Sequence, residues 1–355
     1  MYGQLIDLLD KRKVLDFSRT IGSERYVKSF DAWQHLLVML YAVIKRLDSL
    51  REISASMYPE ANKLAHIGLT SLPRRSTLSD ANARRSEKVF ERVYRDLYQT
   101  YKDELSSDSR KRQNPKWFDK LQIIDSTTIS LFSNLVFQGV GRHPKTGKKK
   151  GGVKAHTIIH ANEGVPSDIK FTSAATNDSF MLQPAQYAKG DIVALDRAYI
   201  DYEKFETLTR NGVTYVTKLK KKLKYTVQKD VMYMNDDGHM EMEAEDIVDI
   251  YRKWWEIELL YKQLKQNFPL RYFYGESANA IKIQIWVTLI ANLLLMVVQK
   301  RVRNRSWSFS GLATIIRITL MYYINCYSFL NNPDKDWEKL IEQSKEPPIQ
   351  LSLFD

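Results

Sequence analysis

Cysteine is almost missing from this sequence, since Cys326 is the only one among 355 residues. A single thiol excludes a disulfide framework and any zinc site built from several cysteines. Long uncharged apolar runs are missing as well: the most apolar stretch, residues 286–298, contains Asn292 and is followed by Lys300. Because a membrane-spanning helix needs about 20 apolar residues, this stretch predicts a buried helix instead.

The N-terminal residues also lack the pattern of an export signal, in which a basic stretch precedes an apolar run and a small-residue cleavage site. We therefore expect a cytoplasmic protein. Acidic residues are outnumbered, because 54 Lys and Arg stand against 42 Asp and Glu and give a net charge of +12. Such an excess is typical of proteins that meet nucleic acid or an anionic membrane surface. The basic residues do not form one amphipathic helix, which disfavours the membrane.

The first third of the chain has a helical pattern. Apolar residues recur every three or four positions over residues 31–47 and predict one buried helical face. Ser49 and Glu52 have the spacing of a capping box and predict a second helix that starts near Ser49. A third helix is expected from Ser76 or Ser79 through Leu97.

The polar residues 102–116 lose this periodicity and predict an exposed connection with a domain boundary near residue 115. We expect residues 1–115 to form a helical DNA-binding region. A helical bundle with a solvated basic face is the alternative, because no recognition-helix pattern here is specific.

After residue 115 the pattern changes to short β-branched runs bounded by turn-forming residues. Five such runs occur, at residues 121–129, 151–161, 167–175, 191–199 and 213–220. Helices are predicted over 179–188 and 202–210, so the order is three strands, helix, strand, helix, strand. This is the order of a ribonuclease-H-like α/β fold, a mixed sheet flanked by helices, and we assign it to residues 116–300.

Two further segments complete the predicted organisation. Residues 220–246 alternate weakly and predict a short β-rich insertion. A long amphipathic helix is predicted over residues 247–268, ending before Pro269. Residues 301–355 are predicted to form a helical C-terminal tail.

Three carboxylates are candidates for chemistry. Asp125 and Asp196 each follow an apolar run that predicts a central strand, and Glu258 lies in the predicted long helix. If that helix packs across the sheet, the three acids converge, and hard divalent cations prefer such oxygen ligands. Each residue alone also has an ordinary interpretation, as a turn or cap for the aspartates and as surface charge for the glutamate.

The helix around Glu258 adds further candidates. Tyr251, Glu258 and Lys265 are spaced by seven residues and fall within roughly 20° of one face, with Lys262 about 40° away. A phenol, a carboxylate and an ammonium on one stripe suit a metal ion beside DNA phosphates. His156 and His160 share a strand face, but a satisfied strand residue is the favoured interpretation there. Asp178 is interpreted as a helix cap.

The stretch IYRKWWEIELLYKQLKQNF resembles the Glu-bearing helix of bacterial insertion-sequence transposases of the IS-four type. In that signature Tyr, Arg, Glu and Lys follow one another at fixed spacing, and Tyr251, Glu258 and Lys265 match. Trp254 occupies the Arg position, while Arg252 lies about 120° around the helix from Glu258. The stretches IIDSTTI, KGGVKAHTIIHANEGVP with TNDS, and ALDRAYIDYEKF are similar to the family's other blocks, and YVKSFDAWQHLLVMLYAVIKRLDSLREI to its helical N-terminal region.

This resemblance implies a DDE transposase that cuts and joins DNA at insertion-sequence ends, with Asp125, Asp196 and Glu258 as ligands for Mg²⁺ or Mn²⁺, in a pair of ions. It implies terminal inverted repeats and target DNA as partners, a dimer in a synaptic complex and a nucleoid-associated location. It also assigns phosphate contacts to Tyr251 and Lys265. An inactive relic and a related nuclease are the alternatives, because Trp254 departs from the signature and the insertion is short.

The basic clusters fit the same interpretation. Further DNA contacts are predicted at Lys262, Arg252 and the lysine cluster Lys148, Lys149 and Lys150. Lys145 and Lys154 belong to the same basic stretch, and a second group of lysines occurs over residues 218–224. The alternative to a DNA contact is that both groups lie in solvated loops.

Overall fold

The structure is a computed structural model of the 355-residue chain. It describes residues 1–25, 27–69, 71–106, 115–130, 141–142, 149–150, 152–174, 176–219, 233–234, 240–242, 244–303 and 307–332.

Helices form the N-terminal part of the described chain. They are α1 (Tyr2–Ile6), α2 (Lys11–Thr20), α3 (Ala32–Lys45), α4 (Leu50–Met57), α5 (Ala61–His66), α6 (Arg75–Arg84) and α7 (Glu87–Ser106). The predicted helix over residues 31–47 is confirmed as α3, where the Asp31 carboxylate accepts from the Gln34 amide at 2.8 Å. The predicted helix start at Ser49 is also confirmed, because Ser49 Oγ accepts from the Glu52 amide at 3.2 Å; the Glu52 carboxylate accepts from the Asp48 amide at 2.6 Å instead of the Ser49 amide expected of a capping box.

Two boundaries in this region differ from the prediction. The single helix expected from Ser76 or Ser79 through Leu97 is two helices, because Arg85 turns to extended backbone after α6 and its side chain is buried. The expected loss of helix at residue 102 is also wrong, since α7 continues to Ser106 with Leu105 buried. The rest of that predicted connection lies mostly outside the described residues.

The remaining elements alternate strands and helices. They are β1 (Leu121–Ser130), β2 (Gly141–Arg142), β3 (Lys149–Lys150), β4 (Gly152–His160), β5 (Pro166–Ser173), β6 (Ile192–Leu195), α8 (Tyr202–Arg210), β7 (Thr214–Thr217), β8 (Tyr233–Met234), β9 (Met240–Met242), α9 (Ala244–Asn267), α10 (Ala278–Arg301), α11 (Phe309–Thr319) and α12 (Cys326–Asn331). The five strands of the predicted core are all present, as β1, β4, β5, β6 and β7.

These five strands form one mixed sheet in the order β5-β4-β1-β6-β7. The β4 strand pairs antiparallel with β1 and β5, whereas β6 pairs parallel with β1 and β7. The antiparallel strands β4 and β5 thus lie on one side of β1, and the parallel strands β6 and β7 lie on the other. This order confirms the predicted ribonuclease-H-like core. Within the predicted insertion, the described residues include the β8–β9 hairpin.

The helix expected at residues 179–188 is not an α-helix. Its place is taken by two short 3-10 turns, Asp178–Met181 and Pro184–Gln186. Pro184 explains the break, because a proline inside a helix removes a backbone donor and clashes with the preceding turn. The cap prediction for Asp178 is wrong as well, since the side chain that accepts from the Ser179 amide belongs to Asn177.

Helix α10 forms the centre of a large apolar core. It is 24 residues long, longer than predicted, and is apolar enough to pass for a membrane span, but 89% of its most apolar window is buried inside the protein. It packs chiefly against α7 and α3. Trp286, fully enclosed there, donates its indole N–H to Glu87 at 3.0 Å. The predicted buried helix is therefore confirmed.

The same apolar cluster continues into the sheet through residues such as Ile123 and Val153 and into the C-terminal helices through Leu312 and Leu330. A smaller cluster around Val193 and Leu208 fills the space between the sheet and α8. Because α9 packs on β1, β6 and β7, its buried positions hold it across the sheet. The domain division at residues 115 and 300 stays a prediction.

Candidate active site

Parallel pairing of β1 and β6 brings two of the predicted acids to adjacent strand positions. The last pair in that register is Ile124 with Leu195, and Asp125 and Asp196 are the residues that directly follow this pair. Asp125 is not at the end of its strand, however, because β1 continues to Ser130 and pairs Asp125 with Thr157 of β4. The acids therefore meet where the parallel pairing ends, which is the edge at which open α/β sheets bind ligands.

The third acid is placed by α9. Trp254 donates its indole N–H to the Ile124 carbonyl at 3.4 Å, and the Tyr261 hydroxyl donates to the Asp125 carbonyl at 2.9 Å. Glu258 lies four residues after the first of these anchors and three before the second, so it shares their side of the helix. The helix is therefore fastened to β1 on both sides of Glu258, directly at the strand that carries Asp125.

Electrostatic interactions confirm that the acids are near one another. Asp125 is 7% exposed, and burial raises the pKa of its carboxyl to about 7. The charges of Glu258, Asp196 and Asp178 raise this pKa further, in that order, while a hydrogen bond from the Ser126 amide lowers it. Glu258 is exposed and Asp196 half-buried, so the site is an open edge with one buried acid at its base.

Asp178 is a fourth acid that the sequence reasoning missed. Its carboxylate accepts from Ser126 Oγ at 2.7 Å and from Lys154 Nζ at 3.1 Å. Asp178 thus links the loop after β5 to Ser126, the residue that follows Asp125 on β1. In the sequence Asp178 directly follows Asn177, and both residue types are common helix caps. Nothing in the spacing along the chain therefore indicated that Asp178 would lie beside the other acids.

His156 lies in the same part of the sheet without being a ligand. It is fully buried, and its Nε2 is hydrogen-bonded to Thr172 Oγ1 at 2.8 Å. Burial lowers its pKa to about 4, so the ring is neutral at physiological pH. The other ring nitrogen, Nδ1, makes no hydrogen bond to the described residues and lies 3.5 Å from Asp178 Oδ1, so the expected satisfied strand residue is found for only one of the two ring nitrogens.

The signature residues of α9 surround the acids. Tyr251 stacks on Trp254 with ring centroids 6.0 Å apart, and its pKa is raised by burial and then by the charge of Asp196. Lys265 donates to Thr127 Oγ1 at 2.6 Å, and burial lowers its pKa against the opposing effect of Glu258 and then Asp125. The Tyr251 phenol therefore lies near Asp196, and the Lys265 ammonium lies near Glu258 and Asp125.

The other predicted DNA contacts are spread more widely. Lys262 is exposed on α9, and Arg252 is exposed and paired with Asp249 at 2.9 Å. Trp254, at the signature Arg position, is 7% exposed and packs into the core instead of facing solvent. Lys148 lies outside the described residues, and Lys149 and Lys150 form β3 without described side chains.

The donor set fits a divalent cation. Carboxylate oxygens are the ligands that Mg²⁺ prefers, and the mutual repulsion that raises the pKa of Asp125 is what a cation between the acids would relieve. Among the residues described by the structure, no three His, Cys, Asp or Glu side chains are close enough to hold one ion jointly. Mg²⁺ is commonly held by one or two carboxylates, with waters and substrate phosphates completing its shell.

Comparison with known families agrees with this geometry. Residues 116–294 match the family model described as the transposase DDE domain, which covers half of the chain. The chain belongs to the DDE transposase family. Members of this family use divalent metal ions. Residues 1–70 match a second model, described only as a domain of unknown function.

Individual relatives carry the same description. The chain is 26% identical over 255 residues to the putative transposase for insertion sequence element IS4SA of Synechocystis, covering 62% of this chain and 70% of that protein. It is 23% identical over 271 residues to the putative transposase y4zB of Sinorhizobium fredii, covering 63% and 71%. A solved piggyBac transposase synaptic complex with hairpin DNA aligns with a TM-score of 0.43 at 9% identity, covering 98% of this chain and 80% of that one.

Proposed function

We propose that this DDE transposase cuts phosphodiester bonds at the ends of an insertion sequence and joins the freed 3′ ends to target DNA, with Asp125, Asp196 and Glu258 holding two Mg²⁺ ions. The observation that carries the proposal is the register of β1 and β6, which makes Asp125 and Asp196 neighbours, together with α9 fastened to β1 around Glu258. Mn²⁺ is expected to substitute for Mg²⁺, because it accepts the same oxygen ligands.

The side chains around the acids suit a phosphate substrate. Bound divalent cations would activate the attacking water or 3′ hydroxyl and stabilise the leaving oxygen of an in-line displacement. Lys265, oriented by Thr127, is positioned to neutralise a phosphate next to the reacting one. The Tyr251 hydroxyl can donate to a second phosphate on the Asp196 side of the site. Lys262 and Arg252 would contact the DNA further out, and Lys148, Lys149 and Lys150 are proposed as an additional contact.

Cleavage of end DNA tests the three acids. Purified protein is incubated with duplexes made from the DNA on either side of its gene, where terminal inverted repeats are expected, with Mg²⁺ or Mn²⁺. Asp196→Asn should abolish cleavage and strand transfer while leaving DNA binding intact, because an amide lacks the charge that holds the cation. Asp191→Asn is the matched control, since Asp191 precedes the opposite end of the same strand and bonds Gln122 and the Ala188 amide. Full cleavage by Asp196→Asn would refute the assignment.

The same assay separates the alternatives. Nicked products without joined products would indicate a nuclease, and salt-sensitive binding without cleavage by the wild type would indicate an inactive relic. A dimer is proposed for the working complex, because two ends must be brought together. Sedimentation of the protein with and without end DNA tests this assembly.

A further inference from the structure

A cationic cleft lies beside the proposed active site. It is a depression of about 600 Å³ between the end of α9, the turn after α3 and the helix α11. Its lining residues are Arg46, Asp48, Lys265, Gln266, Phe268, Pro269, Arg271, Tyr272 and Arg317. Lys265 belongs both to this lining and to the acid site, so the two are continuous.

Positive charge dominates the lining. Four of its side chains are Lys or Arg, and Asp48 is the single acid among its residues. Arg317 forms the floor, because it donates to the carbonyls of Ile44 and Asn267 at 3.2 Å each. Burial lowers the pKa of Arg317, and the charge of Arg46 lowers it further. Like charges are therefore held close together in a concave surface, where they attract polyanions.

The backbone at Arg46 supports a role for its side chain. Arg46 has φ 59° and ψ 44° and ends α3 in the left-handed conformation. Among the residues the structure describes, it is the only one other than glycine with a positive φ. Glycine adopts this conformation without strain, whereas a residue with a Cβ pays roughly 1 kcal/mol. Arg46 thus occupies a position that glycine would fill with less strain, and its exposed side chain lines the cleft.

We propose that this cleft, which we call the Arg46 cleft, binds the phosphate backbone of duplex DNA next to the reacting phosphodiester, through Arg46, Arg271 and Lys265. The inference rests on the proposed function, because the DNA enters the cleft from the acid site. Its charge and its continuity with Lys265 favour a phosphate backbone over a peptide.

Salt-dependent binding tests the Arg46 cleft independently of chemistry. Affinity for a fluorescent mixed-sequence duplex is measured by anisotropy without divalent metal, at salt between about 50 and 200 mM. The double variant Arg46→Gly/Arg271→Gln should bind more weakly, and the slope of log affinity against log salt should fall by about 0.9 for each lost phosphate contact. Glycine suits the left-handed backbone, so folding is preserved at that position.

Two matched variants serve as controls. Arg46→Lys/Arg271→Lys keeps both charges and should retain the wild-type slope. Lys116→Gln/Lys120→Gln removes two exposed charges from the turn before β1, at the start of that strand and outside the cleft, and should also retain it. The proposal is overturned if the cleft variant keeps the wild-type slope, if the Lys116/Lys120 variant loses as much, or if the wild type binds no DNA. If the wild type cleaves DNA but the Arg46→Gly/Arg271→Gln variant keeps the wild-type salt slope, only the role of the Arg46 cleft is refuted. If that variant has a reduced salt slope but the wild type does not cleave DNA, only the proposed cleavage activity is refuted.

Discussion

The hydrogen bond from Tyr261 to the Asp125 carbonyl provides the sharpest test of how the site is held. Tyr261→Phe removes one buried hydroxyl and leaves the packing of the ring in place. A buried hydrogen bond contributes about 1 kcal/mol, and somewhat more when its acceptor is left unpaired, so we expect a loss of about 1–2 kcal/mol. For 355 residues the unfolding entropy is about 0.75 kcal/mol/K, which converts this loss to a decrease in Tm of about 1–3 °C.

The effect on catalysis should be larger than this small destabilisation. The bond fixes the turn of α9 that carries Glu258 relative to Asp125, and displacements of about 1 Å at a catalytic centre reduce rates by roughly a hundredfold. We expect single-turnover cleavage at saturating DNA and metal to slow about tenfold to a hundredfold. DNA affinity should not change, because the hydroxyl faces the protein interior. Tyr261 would act as a positioning residue.

Tyr94 offers a control of the same kind. Its hydroxyl is also buried and donates to a backbone carbonyl of the sheet, that of Pro166 in β5. Tyr94 lies on α7, however, and not beside the acids. Tyr94→Phe should cost similar stability and leave the cleavage rate near that of the wild type. If Tyr261→Phe and Tyr94→Phe slow cleavage equally, the bond to Asp125 has no special role and the argument fails.

Other predictions concern stability. Arg46→Gly should be more stable than Arg46→Ala by about 1 kcal/mol in urea unfolding, because only glycine relieves the left-handed backbone; equal stabilities would contradict this. Trp254→Phe removes the longer of the two hydrogen bonds that fasten α9 to β1 and should slow cleavage by less than Tyr261→Phe, whereas Trp254→Ala should also lose about 3–5 kcal/mol, as judged by urea unfolding. Asp178→Asn should destabilise by about 3 kcal/mol, since the largely buried Lys154 loses its charged partner and keeps the uncharged Thr176 carbonyl, and a change below 1 kcal/mol would argue against that pairing. Burial lowers the pKa of His35 to about 3, so the unfolded chain binds its proton more readily; acidification from pH 6.5 to 5 should cost about 2 kcal/mol through His35, and His35→Gln should lose about 2 kcal/mol less than the wild type over that range, because the additive contribution of His156 and the opposing contribution of Asp125 are unchanged.

Much of the fold followed from local patterns. The β-branched runs located the five core strands, the apolar periodicity over residues 31–47 located α3, and the capping signal at Ser49 located the start of α4. The errors occurred where a single residue overrides periodicity. Pro184 breaks an otherwise helical pattern into short turns, and buried Arg85 separates α6 from α7 although the residues around it favour helix.

The candidate acids were predictable for a different reason. Asp125, Asp196 and Glu258 each stand in a short block that resembles a known family, so the sequence named them without showing that they meet. Asp178 had no such block, and its contacts with Ser126 and Lys154 depend on a loop returning to the sheet. The insertion and the lysine cluster lie largely outside the described residues, and the proposals about them stay predictions.

The sequence by itself determined the order of the elements, the excess of positive charge and the three candidate acids, because these depend on residue type and on spacing along the chain. Only the tertiary structure decided which strands pair, and so that Asp125 and Asp196 are neighbours although far apart in sequence. It also decided that Trp254 faces the core and that Arg46 stands beside Lys265 and Arg317 in one cleft. Burial and charge interaction depend on distances in space, which periodicity along one helix or strand does not specify.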